Sequence, residues 1–371
     1  MSAARANLRI LHTESSLGWG GQEIRVLTEA RGVTRLGHEV TLATPAEARI
    51  FQEAPAYGVK AIALPIGTKR PRGIRALRKA IVDGGYDVIN THSSTDTWLA
   101  ALACRGVSGA PPLVRTRHIS APLPRNFATR WLYARATARI VTTGEKLREQ
   151  MIREAGIDPA RVSSIPTGID LARFRPGVRS SARATVGLPA DAPIVGIVAT
   201  LRSWKGHAYL LEALAAMERK DVQVAIVGDG PQRAALEALT AKLGLAERVR
   251  FAGNQSDVAP WLQAFDVFCL PSYANEGVPQ ALMQAMACGL PVVTTPVGSI
   301  EEIVTDGATG VLVTPQDPVR LRAAIERLLG DASERNALGQ RAATIARERF
   351  GEERMVERML AVFREVARPR G

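Results

Sequence analysis

The sequence predicts an α/β protein made of two doubly wound, parallel-sheet domains. Three observations predict this. Its 371 residues exceed what one hydrophobic core holds, roughly 250 to 300. Short β-branched runs alternate with helix-period stretches through both halves, the pattern of repeated β-α units. The alternation breaks once, at residues 166–178, in a Pro- and Gly-rich stretch that reads as a connection between domains.

In the first half, strands are expected at residues 8–12, 39–44, 59–64, 88–91, 113–117, 140–142 and 162–165, with helices such as 23–36 and 146–155 between them. The second half repeats the scheme, with strands at 194–198, 222–227, 249–251, 267–270, 292–295 and 310–313. Helical segments lie at 207–217, 231–243, 279–288 and 319–329. Residues 333–367 have helical propensity throughout, interrupted at Phe350-Gly351. The expected organisation is a first domain over 1–176, a second over 177–350, and a terminal helix over 351–371 that packs back on the first.

A hydrophobic content of 46% with 23% charged residues is that of a soluble globular chain, and no apolar run approaches the roughly 18 residues of a membrane span. The start lacks an apolar leader segment, so a cytoplasmic location is expected. Cys104, Cys269 and Cys288 are odd in number and widely spaced, which favours buried free thiols over disulfides or a metal site. The net charge of +12 points to a polyanionic neighbour: nucleic acid, anionic lipid or a phosphorylated substrate. No nucleic-acid recognition module accompanies it, which makes nucleic acid the weakest of the three.

In parallel sheets ligands bind beyond the carboxyl ends of the strands, so two such domains facing each other would form a central cleft. After the first strand, Gly18-Trp19-Gly20-Gly21 opens a helix whose amides could approach an anion; a purely structural turn is the alternative. After the first strand of the second half comes Arg202-Ser203-Trp204-Lys205-Gly206, where two cations beside a helix start would suit a diphosphate. A solvated surface pair is the competing reading. Glu276-Gly277-Val278-Pro279-Gln280 sets a carboxylate before another helix, and Gln284, two turns on from Glu276, shares its face. Among the histidines, His12 and His38 read as structural and His207 as outward-facing, whereas His92 and His118 each end a strand and are site candidates with Arg117. No Ser-His-Asp set, Asp-x-Asp motif or metal-ligand cluster is evident, so neither a metal nor a cofactor is expected.

Taken in order, Gly20-Gly21, Gly37-His38-Glu39-Val40, Val88-Ile89-Asn90-Thr91-His92, the His118 segment, Pro166-Thr167-Gly168-Ile169-Asp170, Lys205-Gly206, Gly228-Asp229-Gly230-Pro231, Phe251-Ala252-Gly253 and the Glu276-to-Gln284 stretch resemble family 4 of the retaining glycosyltransferases, the Glu-x7-Glu group. The resemblance implies the GT-B architecture, two Rossmann-like domains facing a cleft, and a nucleotide-diphosphate sugar as donor. It implies that Lys205 binds the diphosphate, with Gly20 and Gly21 closing on it from the other domain. Glu276 and the amides of Gly277, Val278, Pro279 and Gln280 would hold the transferred sugar, Gln284 would meet the ribose, and Phe251, Gly253 and Asn254 would border the base. His118 matches the histidine that reaches the reacting sugar. Two positions depart from the family: Thr200 stands where Arg is usual, with Arg202 a candidate replacement, and Gln284 stands where Glu is usual.

The implied reaction is front-face transfer with retention, in which the departing phosphate takes the acceptor's proton, and residues 166–177 would serve as hinge. The acceptor would be a glycan, a lipid-linked molecule or a phosphorylated one. Two basic stretches of the first domain suit an anionic membrane surface. One is Lys69 to Lys79; the other carries Arg125, Arg130, Arg135 and Arg139 among Phe127, Trp131, Leu132 and Tyr133. The competing readings are a non-catalytic nucleotide-sugar-binding protein of the same fold and a nicotinamide-dependent dehydrogenase, which the missing G-x-G-x-x-G fingerprint disfavours.

Overall fold

The computed structural model describes residues 7–118, 123–124, 126–274 and 276–367; Arg125 and Asn275 lie outside the described residues. The chain forms two compact units, Met1–Gly168 with Glu352–Gly371, and Ile169–Gly351.

In the first unit the chain runs β1 (Arg9–Thr13), α1 (Gly21–Arg35), β2 (Glu39–Thr44), α2 (Arg49–Glu53), β3 (Lys60–Ala63), α3 (Pro71–Gly84), β4 (Val88–Thr91), α4 (Ser94–Cys104), β5 (Leu113–Arg117), α5 (Phe127–Trp131), β6 (Arg139–Thr142), α6 (Glu145–Ala155) and β7 (Val162–Ser164). All neighbouring strands pair in parallel in the order β3-β2-β1-β4-β5-β6-β7. Helices cover both faces of the sheet, so its strands are apolar almost continuously; Ile10, Leu11, Val88, Ile89 and Val114 are wholly buried.

The second unit holds α7 (Arg179–Val186), β8 (Ile194–Val198), α8 (His207–Ala216), β9 (Gln223–Val227), α9 (Arg233–Lys242), β10 (Val249–Gly253), α10 (Ala259–Ala264), β11 (Val267–Leu270), α11 (Gln280–Ala287), β12 (Val292–Thr294), β13 (Val311–Leu312), α12 (Pro318–Gly330) and α13 (Ala332–Arg349). Its parallel sheet has the order β10-β9-β8-β11-β12-β13. The last helix, α14 (Glu352–Val366), returns to the first unit and buries Met355, Val356, Met359, Leu360 and Phe363 in the core with Val26, Leu27 and Val33 of α1. Their three-and-four spacing makes one apolar stripe.

The passage between units falls at Gly168–Ile169, earlier than the expected boundary after 176. Apolar burial explains the shift. Ile169 and Phe174 sink into the second core, Arg173 pairs with Asp257 at 2.9 Å, and Gln263 donates to the Arg175 carbonyl at 2.9 Å. Most of the stretch read as a hinge is therefore packed structure of the second unit. Among the described residues no helix is long and apolar enough to cross a membrane, and all three cysteines are free.

Candidate active site

Both sheets reverse strand order once, between β1 and β4 in the first unit and between β8 and β11 in the second. At such a switch the loops beyond the two strand ends diverge to opposite faces and leave a crevice.

In the second unit Lys205 lies in the loop after β8 and Glu276 in the loop after β11, one on each side of the switch. Lys205 Nζ donates to Glu276 Oε1 at 2.6 Å, and Ser272 Oγ donates to the same oxygen at 2.5 Å. Glu276 is buried, while the Lys205 side chain keeps 20% exposure, so the cation remains reachable. The two loops are tied together by the Tyr273 amide, which donates to the Trp204 carbonyl at 2.9 Å, and the Glu276 loop is held from its other side by Thr295 Oγ1, just after β12, donating to the Ser272 carbonyl. Gly206 makes this possible: its φ is +78°, and a Cβ there would come within 2.0 Å of the Pro271 carbonyl oxygen.

Helix α11 starts beside Glu276. Its N-cap, Pro279, supplies no side-chain cap, so the first amides are left for an anion or hydroxyl. Gln284 is buried on this helix, and its side-chain amide bonds to no described residue. Gly277 and Gln280 are half-buried; Val278 and Pro279 are buried. On the far side of the switch Phe251 lies under the Arg233 guanidinium, 5.0 Å from the ring centroid. The Gly253 carbonyl accepts from the Gly228 amide at 2.8 Å, and Asn254 is exposed. Arg202 is exposed with its guanidinium 5.6 Å from the Trp204 ring, on the same loop as Lys205.

The first unit gathers a second set at its own switch. Three imidazoles follow adjacent strands: His12 within β1, His92 just after β4 and His118 just after β5. His12 Nδ1 lies 2.9 Å from His92 Nε2, and His92 Nδ1 lies 3.1 Å from His118 Nε2. The His92 backbone amide and Thr13 Oγ1 both donate to Asp96 Oδ2, at 2.9 and 2.7 Å. Burial holds all three imidazoles below their ordinary pKa, His12 at about 3, with further depression of His92 and His118 from nearby arginines. The row is therefore uncharged at neutral pH. Gly20 caps α1 in extended conformation without a side-chain cap, and Gly21 opens the helix. Beside them Gln22 donates to Glu14 Oε2 at 2.5 Å and the Ser16 amide donates to Oε1 at 2.8 Å. Burial first, then the Asp96 charge, pushes the Glu14 carboxyl up to about 7. Arg117 is buried and donates to the Tyr133 hydroxyl at 3.4 Å.

The candidates thus fall into two groups: Lys205, Arg202, Phe251, Gly253, Asn254, Gly277 to Gln280, Glu276 and Gln284 in one unit, Gly20, Gly21, His92, Arg117 and His118 in the other. His207, read as outward-facing, is instead 1% exposed. The left-handed Gly206 turns the chain so that the first residue of α8 points inward, and burial with the Lys205 charge drives its imidazole to about 3. Ser272, Gly298, Glu14 and His12 escaped the sequence reading as site residues. A signal existed only for His12, which ends a strand as His92 and His118 follow theirs.

A two-domain α/β protein with a cation-carboxylate pair at one switch point and a histidine row at the other has the construction of a GT-B transferase. Residues 19–173 match the family described as Glycosyltransferase Family 4, and residues 178–344 the family described as Glycosyl transferases group 1. D-inositol 3-phosphate glycosyltransferase of Nocardia farcinica is 31% identical over 374 residues, covering 93% of this chain and 81% of that one. D-inositol 3-phosphate glycosyltransferase 2 of Catenulispora acidiphila is 36% identical over 58% of this chain, a match that spans about half, 53%, of that relative. The crystal structure of Anabaena HepE in complex with UDP-glucose has a TM-score of 0.86 at 23% identity, covering 97% of this chain and 100% of that one. The chain belongs to glycosyltransferase family 4, of the GT-B fold, and is a group 1 glycosyltransferase.

Proposed function

We propose that the protein transfers a hexosyl or N-acetylhexosaminyl group from a nucleotide-diphosphate sugar, with retention and without a metal, to a phosphorylated or lipid-linked acceptor in the cytoplasm. The observation that carries this is the Lys205–Glu276 pair at the switch point beside the uncapped start of α11. Breaking the sugar–phosphate bond develops negative charge on the diphosphate and positive charge on the sugar. A fixed ammonium and helix amides meet the first, and Glu276, whose Oε2 is left by its described partners, meets the second. The departing phosphate oxygen takes the acceptor proton. His118 would contact the transferred sugar. The solved complex of HepE with UDP-glucose supports a nucleotide-sugar donor, and the names of the inositol 3-phosphate glycosyltransferases, with the net charge of +12, support a phosphorylated acceptor.

A thermal-shift screen against nucleotide sugars tests the reading, because the true donor raises the melting temperature by mass action. If no nucleotide sugar is bound or hydrolysed by the purified protein, the reading fails; a donor bound but never transferred would make the chain a binding protein of this fold. With the donor in hand, Gln284→Ala leaves ribose hydroxyls without their partner and weakens binding by ~1 to 3 kcal/mol. Gln284→Glu adds charge-assisted hydrogen bonds but also repulsion with the diphosphate, so affinity changes by less than about tenfold, or ~1.4 kcal/mol. Calorimetric titration measures both, and an unaltered Kd for Gln284→Ala removes that residue from the site.

The acceptor side carries the membrane reading. In α3, Leu77 and Ile81 are spent in the core while Arg72, Arg75 and Lys79 are exposed; near α5, Phe127 is 85% exposed. Contact with an anionic surface through these cations would therefore be chiefly electrostatic, with Phe127 and the 59% exposed Val82 of α3 as the apolar side chains offered with them. Flotation with anionic vesicles should show binding that salt abolishes, and equal flotation with neutral vesicles would count against it.

A further inference from the structure

The histidine row does not end at His12. Its Nε2 faces Glu29 Oε1 at 3.8 Å, and Glu29 is wholly buried on α1. Asn90 Nδ2 donates to that carboxyl oxygen at 3.0 Å, and Thr116 Oγ1 donates to Asn90 Oδ1 at 2.9 Å. Arg25 Nε lies 3.7 Å from Glu29 Oε2, and Arg25 Nη1 donates to the Ile165 carbonyl at 2.8 Å. His12 Nε2, Arg25 Nε and Glu29 Oε2 have no hydrogen-bond partner among the described residues. Three adjoining rings, with centroids 5.1 and 5.3 Å apart, thus lead from a half-buried His118 to a carboxyl group in the core. Of the His118 nitrogens only Nε2 belongs to the row, which leaves Nδ1 for a ligand.

We propose that Glu29, His12 and His92 form a proton relay that sets the tautomer of His118 and so decides whether its Nδ1 accepts or donates a hydrogen bond at the reacting sugar. The atoms allow two arrangements. With Glu29 ionised, His12 Nε2–H faces the carboxylate, His92 Nε2–H donates to His12 Nδ1, His118 Nε2–H donates to His92 Nδ1, and His118 Nδ1 carries a lone pair. A proton arriving at His118 Nδ1 releases the proton on Nε2 to His92 Nδ1. The Nε2 proton of His92 passes to His12 Nδ1, and the Nε2 proton of His12 passes to Glu29 Oε1 once that pair closes from 3.8 Å to hydrogen-bond distance. One proton has entered, each imidazole is again neutral, Glu29 is protonated, and His118 now donates through Nδ1–H.

Placing the charge on Glu29 rather than on an imidazole fits the surroundings. Burial pushes the Glu29 carboxyl up to about 7, although Arg25 and the Asn90 hydrogen bond pull it down. Burial holds His92 and His118 well below their ordinary values, reinforced at His92 by the neighbouring His12 and His118 and then Arg115 and Arg25, and at His118 by the charges of Arg25 and Arg115. The other charged groups packed around the row are Asp96 under His92, Glu14, whose carboxyl the Asp96 charge helps to raise, and Arg358 of α14 beside Arg25; Phe363 of the same helix closes the His12 edge. Glu29, His12 and His92 are positioning residues in this account. Its catalytic consequence rests on the function proposed above, but the tautomer itself needs no substrate to be observed.

The test is nitrogen NMR of the full chain with labelled histidine, five residues in all, with His118 assigned by its loss in His118→Asn. Between about pH 5.5 and 8.5, the protonated and bare nitrogens of His118 should exchange places with a midpoint near 7, the value of Glu29. Glu29→Gln should fix one tautomer at every pH, and His12→Phe should uncouple the exchange from Glu29. Three results would overturn the relay: one tautomer throughout in the unaltered protein, both nitrogens of His118 protonated on acidification, or an exchange that survives in Glu29→Gln. The first two need no change at Glu29 or His12, so failure of those variants to fold does not shield the proposal.

Discussion

Lys205→Ala is expected to lower kcat/KM for sugar transfer by about 10² to 10³, the scale of losing one preorganised charge contact from a transition state. Two consequences separate this from general damage. Lys205 is also the ion-pair partner of the buried Glu276, so its removal leaves the carboxylate with Ser272 alone among the described residues and should lower the melting temperature. Adding Glu276→Gln removes that uncompensated charge and should recover stability without recovering turnover. Turnover and thermal melts of the single and double variants make the measurement. Near-normal turnover in Lys205→Ala would displace the diphosphate from this loop, whatever the melts show.

Gly298→Ala should be nearly as damaging although residue 298 touches no ligand in this account. Gly298 has a φ of +60°, and a Cβ there would stand 2.0 Å from the Glu276 carbonyl oxygen and 3.0 Å from its Cβ. Backbone cannot yield as a flexible side chain does, so the Glu276 loop must move, and displacement on the ångström scale costs about 10²-fold in rate. Gly307→Ala is the control. Its φ of +69° is equally left-handed but nothing lies within 4 Å, so it should cost ~1 kcal/mol of stability and no activity. Equal kinetic losses in the two variants would show that left-handed strain, not the Glu276 contact, is responsible.

The legibility of this molecule follows from the range of its interactions. Strands such as β8 and β11 read clearly because a parallel sheet covered on both faces needs near-continuous apolar runs. Lys205 and Glu276 were legible separately, each in a loop between a strand and a helix. Their pairing was not, since it joins positions 71 residues apart through the strand order. His12 failed for the same reason: its partner His92 is 80 residues away, and alone it reads as a core histidine. The boundary was misplaced because Pro and Gly mark a turn without saying which core takes Ile169 and Phe174. Gly298 lay in an ordinary loop sequence, and only the carbonyl above it gives the missing side chain a meaning.

The return of α14 to the first unit has a consequence for biosynthesis. Residues are made in order, so the second unit, all of it between 169 and 351, is complete in sequence while the first still lacks the helix that fills the space against α1. Until residues 352–366 emerge, Val26, Leu27 and Val33 face water, and the half made first is the half that matures last. A released chain truncated before Glu352 should therefore present a protease-resistant second unit and a protease-sensitive first one.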